Sequence, residues 1–255
     1  SMIIAQISDT HINLNTPGSV QRILDFETVI LDINSLKPQP DLIIHSGDIV
    51  QNGLMEEYAE ATNIISKAIA PVYVMVGNKD DRKNIKKSFA KEKYISVNSQ
   101  FVDYAINDFP IKLIMMDTLN KHSNKGHFCD CRRENLIKMI NSEATKPIAV
   151  FMHHPPCAIN VGPDLFHFEN LSAMADLCDT LQRSGRVISI FCGHVHRSTI
   201  GRISNIPVTV VPAVATQIRW GEYPAHIDKI PVYNVHHYDQ DWGFITETRI
   251  TNSNY

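Results

Sequence analysis

The sequence lacks a long hydrophobic run, an excess of positive charge and a paired arrangement of cysteines. No apolar stretch approaches the roughly 18 residues of a membrane-spanning helix, so no membrane segment is expected. The net charge is −3 and no long cluster of Lys and Arg is present, which disfavours a nucleic acid polymer as the main partner. The hydrophobic fraction of 44% and the charged fraction of 20% are ordinary for a globular enzyme.

The cysteines are five in number, an odd count without the spacing of a disulfide framework. They indicate a reducing compartment, and we expect a cytoplasmic protein. Cys129 and Cys131 form a close pair that would suit a metal, but without a second pair an ordinary loop is favoured. The first apolar run is short and meets Asp9 at once, so no signal peptide is expected.

Short apolar runs alternate with segments of helical periodicity over most of the chain. The runs predict strands at residues 2–8, 42–46, 72–76, 112–116, 148–152 and 188–192. The periodic segments predict helices at residues 19–36, 56–69, 132–142 and 171–184. Segments 208–211, 232–237 and 244–250 resemble strands without intervening helices, so an antiparallel portion is expected to close the fold. The pattern predicts an α/β fold in a single domain over residues 1–255.

Five of the predicted strands end in residues that can bind a metal. The motifs are Ser8-Asp9-Thr10-His11, Gly47-Asp48, Gly77-Asn78, His153-His154-Pro155-Pro156 and Gly193-His194-Val195-His196. Side chains at the carboxyl ends of strands in an open α/β sheet converge on one crevice. Residues i and i+2 of an extended segment project to the same side. Asp9 and His11 are therefore expected to face one point, and so are His194 and His196.

The converging set contains two Asp, one Asn and four His, which is too many for a single zinc or iron ion. Mixed oxygen and nitrogen donors suit Fe, Zn and Mn. Two ions roughly 3.5–4 Å apart require an anionic bridge, and such a pair serves phosphoryl transfer. Asp48, directly behind a glycine, is the candidate bridge. Each motif alone is more often an ordinary turn, and only their joint presence after predicted strands favours a metal centre.

These motifs, in this order, resemble those of the calcineurin-like metallophosphoesterases. The resemblance spans residues 2 to about 218 and implies a four-layer α-β-β-α sandwich with mixed sheets. Within the family, GDIVQNGLMEEY, FMHHPP and IFCGHVH resemble the class III cyclic-nucleotide phosphodiesterases and, equally, the bacterial glycerophosphodiesterases. The resemblance implies a dimetal phosphodiesterase for a small-molecule diester. A 3',5'-cyclic nucleotide such as cyclic AMP is the main expectation, and a glycerophosphodiester is the alternative.

The resemblance also implies a ligand set for two divalent or trivalent ions of Fe, Mn or Zn. One ion is expected at Asp9, His11 and His196, the other at Asn78, His153 and His194, with Asp48 between them. His153 is preferred over His154 because the family's ligand sits two residues before a proline. His154 is then expected behind the ligands or in contact with substrate, and Asn78 is also expected near the substrate. Water would attack phosphorus in line with the leaving alkoxide.

Lys79 departs from the family pattern, which has a histidine at this position. A histidine suits proton donation to a leaving group, whereas a lysine is a point charge that attracts a phosphate oxygen. Asp80 and Asp81 are expected to favour the charged lysine. Lys79 and Asp48 are the predicted catalytic residues. The alternative is a weakly active or non-catalytic member, but all seven ligands are present and favour an enzyme. The sequence leaves a homo-oligomer open.

Overall fold

The structure is a computed structural model that describes residues 1–96 and 98–251. Within these residues the strands are β1 Met2–Ile7, β2 Leu42–His45, β3 Val72–Val74, β4 Tyr104–Ile106, β5 Lys112–Met116, β6 Ile148–Met152, β7 Val187–Cys192, β8 Thr199–Ile203, β9 Ile206–Val210, β10 Val232–Asp239 and β11 Gly243–Ile250. The α-helices are α1 Ser19–Asn34, α2 Met55–Ile65, α3 Arg82–Ser88, α4 Asp130–Asn141 and α5 Leu171–Arg183, and Thr216–Ile218 forms a 3-10 turn.

The strands form two mixed sheets. The first has the order β11-β10-β1-β2-β3 and the second the order β4-β5-β6-β7-β9-β8. Strands β1, β2 and β3 are mutually parallel, as are β5, β6 and β7, because each pair is joined by a crossover that contains a helix. Strand β10 is antiparallel to both β1 and β11, as expected for the last part of the chain.

The apolar side chains divide into two clusters that define four layers. In β5, Leu113 and Met115 belong to a cluster shared with the first sheet and α1–α3, whereas Ile114 and Met116 face α4 and α5. Because both faces of β5 are buried, its residues 113–116 form a continuous apolar run after Lys112, with no polar alternation. The predicted α-β-β-α sandwich with mixed sheets is confirmed.

Several elements differ from the sequence prediction. Strand β9 was expected within the antiparallel portion, but it is antiparallel only to β8 and runs parallel to β7. Elements α3 and β4 were not predicted because seven and three residues are too short to show a clear period. Strand β8 was not predicted because Gly201 and Arg202 interrupt its apolar residues. None of the helices in residues 1–96 and 98–251 has the length and apolarity to cross a membrane.

Candidate metal centre

The loops after the strands carry five of the predicted ligands in the left-handed backbone region. The φ angles are 57° at Asp9, 44° at His11, 53° at Asp48, 71° at His194 and 63° at His196. Asp and His tolerate this region better than most residues, and such strain concentrates at functional sites. The expectation that both i, i+2 pairs lie on extended segments is therefore wrong. Asp9 and His11 do share one cluster of donor atoms, but His194 and His196 lie in different clusters.

The loops approach one another so closely that glycine is required at several positions, of which Gly77 and Gly193 are the tightest. A Cβ on Gly77 would lie 2.3 Å from both the backbone nitrogen and the Oδ1 atom of Asp48. A Cβ on Gly193 would lie 2.2 Å from Ser8 Oγ and 2.7 Å from Asp9 Oδ2. Gly77, in residues 74–81 (VMVGNKDD), therefore lets the Asn78 loop pack directly against the Asp48 loop.

The first cluster of donor atoms comprises Asp9, His11, Asp48 and His196. Asp9 Oδ1 lies 3.3 Å from His11 Nε2 and 3.1 Å from His196 Nε2. The other oxygen of Asp9 accepts hydrogen bonds from Ser8 Oγ at 2.7 Å and from the backbone nitrogen of His194 at 3.1 Å. One carboxylate oxygen is thus anchored to the protein while the other faces the imidazoles.

The second cluster comprises His153, His154 and His194, with Asn78 beside it. Asn78 Oδ1 lies 3.0 Å from His194 Nδ1. Asp48 joins the two clusters, because its Oδ2 atom lies 3.2 Å from His11 Nε2 and 3.4 Å from His153 Nε2. Its Oδ1 atom accepts a hydrogen bond from the backbone nitrogen of Lys79 at 2.8 Å.

Three of the imidazoles are held by their Nδ1 atoms, each of which lies 2.8 Å from a carbonyl or amide oxygen. A carbonyl oxygen can only accept a hydrogen bond, so Nδ1–H donates and Nε2 points into the centre. The acceptors are the Gln51 side chain for His11, the Ser46 carbonyl for His153 and the Ile218 carbonyl for His196. Backbone carbonyls and carboxamides are the usual partners that orient metal-binding histidines.

The arrangement fits cations. His153 Nε2 is buried and has no hydrogen-bond partner among the described residues, although it faces the carboxylates of Asp48 and Asp9 at 3.4 and 3.8 Å. A neutral imidazole would direct its lone pair at a carboxylate, which is repulsive unless a positive charge lies between them. The oxygen and nitrogen donors suit Zn, Fe or Mn.

Without a metal, protons supply the positive charge. Burial lowers the pKa of His11, but the charges of Asp48 and Asp9 outweigh it and raise this pKa to about 10. The same balance raises the pKa of His153 to about 9. Burial opposes ionisation of Asp9 and Asp48, yet the neighbouring histidines hold both carboxyl pKa values well below the usual range. The centre therefore strongly favours the binding of positive charge.

His154 is close enough to join the second cluster, but both of its nitrogens are already used. Nε2–H donates to the backbone carbonyl of Asn124 at 2.9 Å, so Nδ1 accepts from the hydroxyl of Thr118 at 2.7 Å. The side chain is fully buried, and burial lowers its pKa to about 3. His154 therefore lies behind the proposed ligands, one of the two positions expected for it, and its contact with substrate stays a prediction. Asn124 in turn accepts a hydrogen bond from Asn78 Nδ2 at 3.5 Å, which leaves Asn78 Oδ1 facing the centre.

Asp80 lies behind the centre and connects two of its loops, a role that the sequence motif did not reveal. It is buried, and its Oδ2 atom accepts hydrogen bonds from the backbone nitrogens of Gly77 at 2.8 Å and Ile49 at 3.3 Å. Its Oδ1 atom accepts from the hydroxyl of Tyr58 at 2.7 Å. Asp80 therefore ties the Asn78 loop to the Asp48 loop. Helical periodicity predicted a helix over residues 56–69, which contains Tyr58, but gave no sign of this partner.

Lys79 contributes its backbone to the centre, through the hydrogen bond to Asp48. Its side chain is half-buried, and its ammonium has no hydrogen-bond or ion-pair partner within residues 1–96 and 98–251. The expectation that Asp80 and Asp81 act on the lysine is not supported, because Asp80 faces Tyr58 and Asp81 caps the N-terminus of α3.

Comparison with known proteins identifies the family. The calcineurin-like phosphoesterase family matches residues 2–198. The chain belongs to this family. A probable glycerophosphodiester phosphodiesterase of Arcobacter nitrofigilis is 31% identical over 97% of this phosphoesterase and 92% of its own length. A probable cyclic nucleotide phosphodiesterase of Xenorhabdus bovienii is 27% identical over 94% and 97% of the two chains.

The same phosphoesterase fold occurs in a dimetal phosphatase from Danio rerio. That structure superimposes with a TM-score of 0.71 over 98% of this chain and 99% of the other, at 12% sequence identity. The likeness supports the fold alone, because the sequences have diverged so far. The family and the architecture predicted from the strand-end motifs are both confirmed.

Proposed function

We propose that this calcineurin-like phosphoesterase is a dimetal phosphodiesterase that hydrolyses a small-molecule phosphodiester. The observation that carries the proposal is Asp48, whose Oδ2 atom lies within 3.4 Å of an imidazole nitrogen from each cluster. A carboxylate in this position can reduce the repulsion between two dications and fix their separation. The relatives named as phosphodiesterases support the reaction class.

The ligand set predicted from the sequence is compatible with this geometry. Asp9, His11 and His196 would hold one ion, Asn78, His153 and His194 would hold the other, and Asp48 would bridge them. Bound Fe, Mn or Zn ions act as Lewis acids towards a phosphoryl group and lower the pKa of water. The chain itself orients the imidazoles, excludes water from behind the carboxylates and holds Asn78 as a neutral ligand.

Lys79 is proposed to contact the phosphate or the leaving group rather than a metal. It is next to a proposed ligand, its ammonium has no partner among residues 1–96 and 98–251, and its backbone nitrogen donates to Asp48. As a point charge it would attract a phosphate oxygen, but a cationic lysine is a poorer proton donor than a histidine. We therefore expect slow turnover of diesters with poor leaving groups.

The substrate is proposed to be a 3',5'-cyclic nucleotide. This proposal is supported by a relative that aligns over most of the chain and is named a probable cyclic nucleotide phosphodiesterase. A glycerophosphodiester is the second candidate, because relatives of 31% and 30% identity carry that name. A cytoplasmic location is also proposed, and the five free cysteines are consistent with it.

The decisive experiment combines metal analysis with hydrolysis of cyclic AMP, glycerophosphoethanolamine and bis-p-nitrophenyl phosphate. The protein is stripped with a chelator and reloaded separately with Mn, Zn or Fe. We expect about two ions per chain, with activity that disappears on chelation and returns on reloading. Binding of a single ion, or diester hydrolysis that survives complete removal of metal, would contradict the proposal. Faster hydrolysis of p-nitrophenyl phosphate than of its bis-ester would contradict the preference for diesters.

A further inference from the structure

The proposed ligands differ in how far they are exposed to solvent. Asp9 and His153 are fully buried, and the His11 and Asp48 side chains are only 5% and 2% exposed. The side chain of His196, in contrast, is 22% exposed. A substrate must therefore approach past His196, together with the half-buried His194 and Asn78. The chain segments that flank these three residues are the ones that meet the part of the substrate beyond its phosphate.

The chain segment beside Asn78 is polar. A cavity of about 620 Å³ adjoins it, lined by Asn120, Lys121, His122, Ser123 and Asn124 among others. These side chains suit hydroxyl groups and a phosphate. They offer no extended aromatic surface.

The flank beside His196 is formed by residues 218–223, and it is tied directly to that proposed ligand. His196 Nδ1 donates to the carbonyl of Ile218 at 2.8 Å, and the His196 carbonyl accepts from the backbone nitrogen of Trp220 at 2.9 Å. Arg197 donates to the carbonyl of Trp220 at 2.8 Å. The backbone around Trp220 is therefore held in a fixed position relative to the metal centre.

Two guanidinium groups brace this segment further. Arg197 and Arg219 lie over the ring of Tyr223, at 5.1 and 5.0 Å from its centroid. Arg219 also donates to the carbonyls of Ile227 and Ile230. Cations over an aromatic ring are attracted to its negative face. Both guanidinium groups lie over the Tyr223 ring and not over the indole of Trp220.

Trp220 is 48% exposed, a large fraction for a tryptophan on a segment fixed in this way. The indole lies beside Gly162 of the β6–α5 loop, because a Cβ built on that glycine would be 3.4 Å from Cε2 and Cζ2. The indole is thus supported from one direction by the loop, and about half of its surface remains available for a ligand. An exposed, pre-positioned aromatic group lowers the entropy cost of binding a planar partner.

We propose that Trp220 is a stacking platform for the planar base of a nucleotide diester whose phosphate lies at the metal centre. This inference rests on the proposed function and narrows it, because a glycerophosphodiester has no planar group to stack. Stacking of a base on an aromatic side chain is tolerant of sequence and needs only an exposed ring face. Trp220 would therefore select nucleotide diesters over alkyl diesters without selecting one base.

The first test measures binding without turnover. The chain has two tryptophans, so Trp242→Phe leaves Trp220 as the only one. The metal-loaded Trp242→Phe protein is titrated with 5'-AMP and, separately, with ribose 5-phosphate, which lacks the base. We expect saturable quenching of the Trp220 fluorescence by AMP and none by ribose 5-phosphate. A Trp220→Phe protein, which retains Trp242, reports any non-specific quenching.

The second test measures selectivity. Trp220→Ala should lower kcat/KM for cyclic AMP by about 10- to 100-fold and leave that for glycerophosphoethanolamine unchanged. Trp220→Phe should retain most of the activity on cyclic AMP. Both variants keep the backbone bonds to His196 and Arg197, and metal content should match the unsubstituted protein.

The outcomes separate the two proposals. Equal loss on both substrates, or no specific quenching by AMP up to millimolar concentrations, would overturn the platform while leaving a phosphodiesterase in place. Specific AMP quenching in a protein that hydrolyses no diester would support the platform and refute the proposed reaction.

Discussion

Replacing Tyr58 with phenylalanine should weaken the metal centre without touching a ligand. The Tyr58 hydroxyl is buried, donates to Asp80 at 2.7 Å and accepts from the backbone nitrogen of Asp81 at 3.1 Å. Asp80 in turn holds the loops that present Asn78 and Asp48. Tyr58→Phe removes one oxygen and leaves both partners without that bond.

The two lost bonds set the size of the effect. A hydrogen bond contributes about 0.5–1.5 kcal/mol between neutral groups and about 1.5–3 kcal/mol to a charged group. Burial and the charge of Asp48 raise the pKa of Asp80 to about 7, so this carboxyl is only partly ionised near neutral pH, and Asp81 is an exposed residue whose N–H water can reach. Because the partners can relax, we expect a total loss of about 2–4 kcal/mol. For a chain of this size the midpoint of thermal unfolding should fall by roughly 5–15 °C. Loss of a group that orients ligands typically weakens metal binding by about 10–100-fold.

The assay compares Tyr58→Phe with Tyr233→Phe. Tyr233 is equally buried and donates to the carboxylate of Asp32 at 2.6 Å, away from the metal loops. Calorimetric titration of Mn or Zn into stripped protein gives the affinity, and thermal unfolding of the stripped proteins gives the stability. Both variants should lose stability, but only Tyr58→Phe should lose metal affinity. If metal affinity is the same in the two variants, the argument that Asp80 transmits the Tyr58 bond to the ligand loops is wrong.

Three other predictions concern the centre itself. Asp48→Asn keeps the side-chain shape but removes the bridging charge. Bound metal should therefore fall below two ions per chain, and diester hydrolysis should be lost. Normal turnover would exclude a bridge. Lys79→His should leave metal content unchanged and raise kcat on an alkyl diester by up to about 10²-fold, with a smaller gain on an aryl diester. Lower activity on both substrates would instead make lysine the working residue. In stripped protein, the pKa of His11 is raised to about 10 and that of His153 to about 9. The two protonated imidazoles therefore stabilise the folded state fully below about pH 6.5, and this stabilisation is lost as the pH rises through 9 and 10. Unfolding midpoints measured from pH 6 to 10 should show that loss, and Asp48→Asn should reduce it; an unchanged slope would contradict the assigned cause.

The strand-end motifs could be predicted because each is a local signal. A buried strand is a visible apolar run, and a polar residue directly after it marks the crevice edge. The order of Asp9, Asp48, Asn78, His153 and His194 along the chain then predicts their convergence. The same runs predict the α/β fold class, whereas the four-layer sandwich was implied by the family resemblance of the motifs.

The geometry within the centre could not be predicted from sequence. The contacts that decide the role of His154 involve Thr118 and Asn124, which lie 36 and 30 residues away along the chain. Tyr58 and Asp80 are likewise 22 residues apart, and either residue alone suits an ordinary core or turn position. The backbone conformation at Asp9 and His11 was also misjudged, since an i, i+2 spacing does not distinguish an extended segment from a left-handed turn.

The left-handed residues of the metal loops have a consequence for how much of this protein a cell can maintain. A non-glycine residue in that region costs about 1–2 kcal/mol, and five of them at one site approach the net stability of a typical domain, about 5–15 kcal/mol. Ions that bind only the folded chain would return this free energy, in proportion to the logarithm of their free concentration. Under metal starvation a larger fraction of the chains would therefore be unfolded and open to proteases. The abundance of this protein would then follow the supply of its metal, with no dedicated sensor.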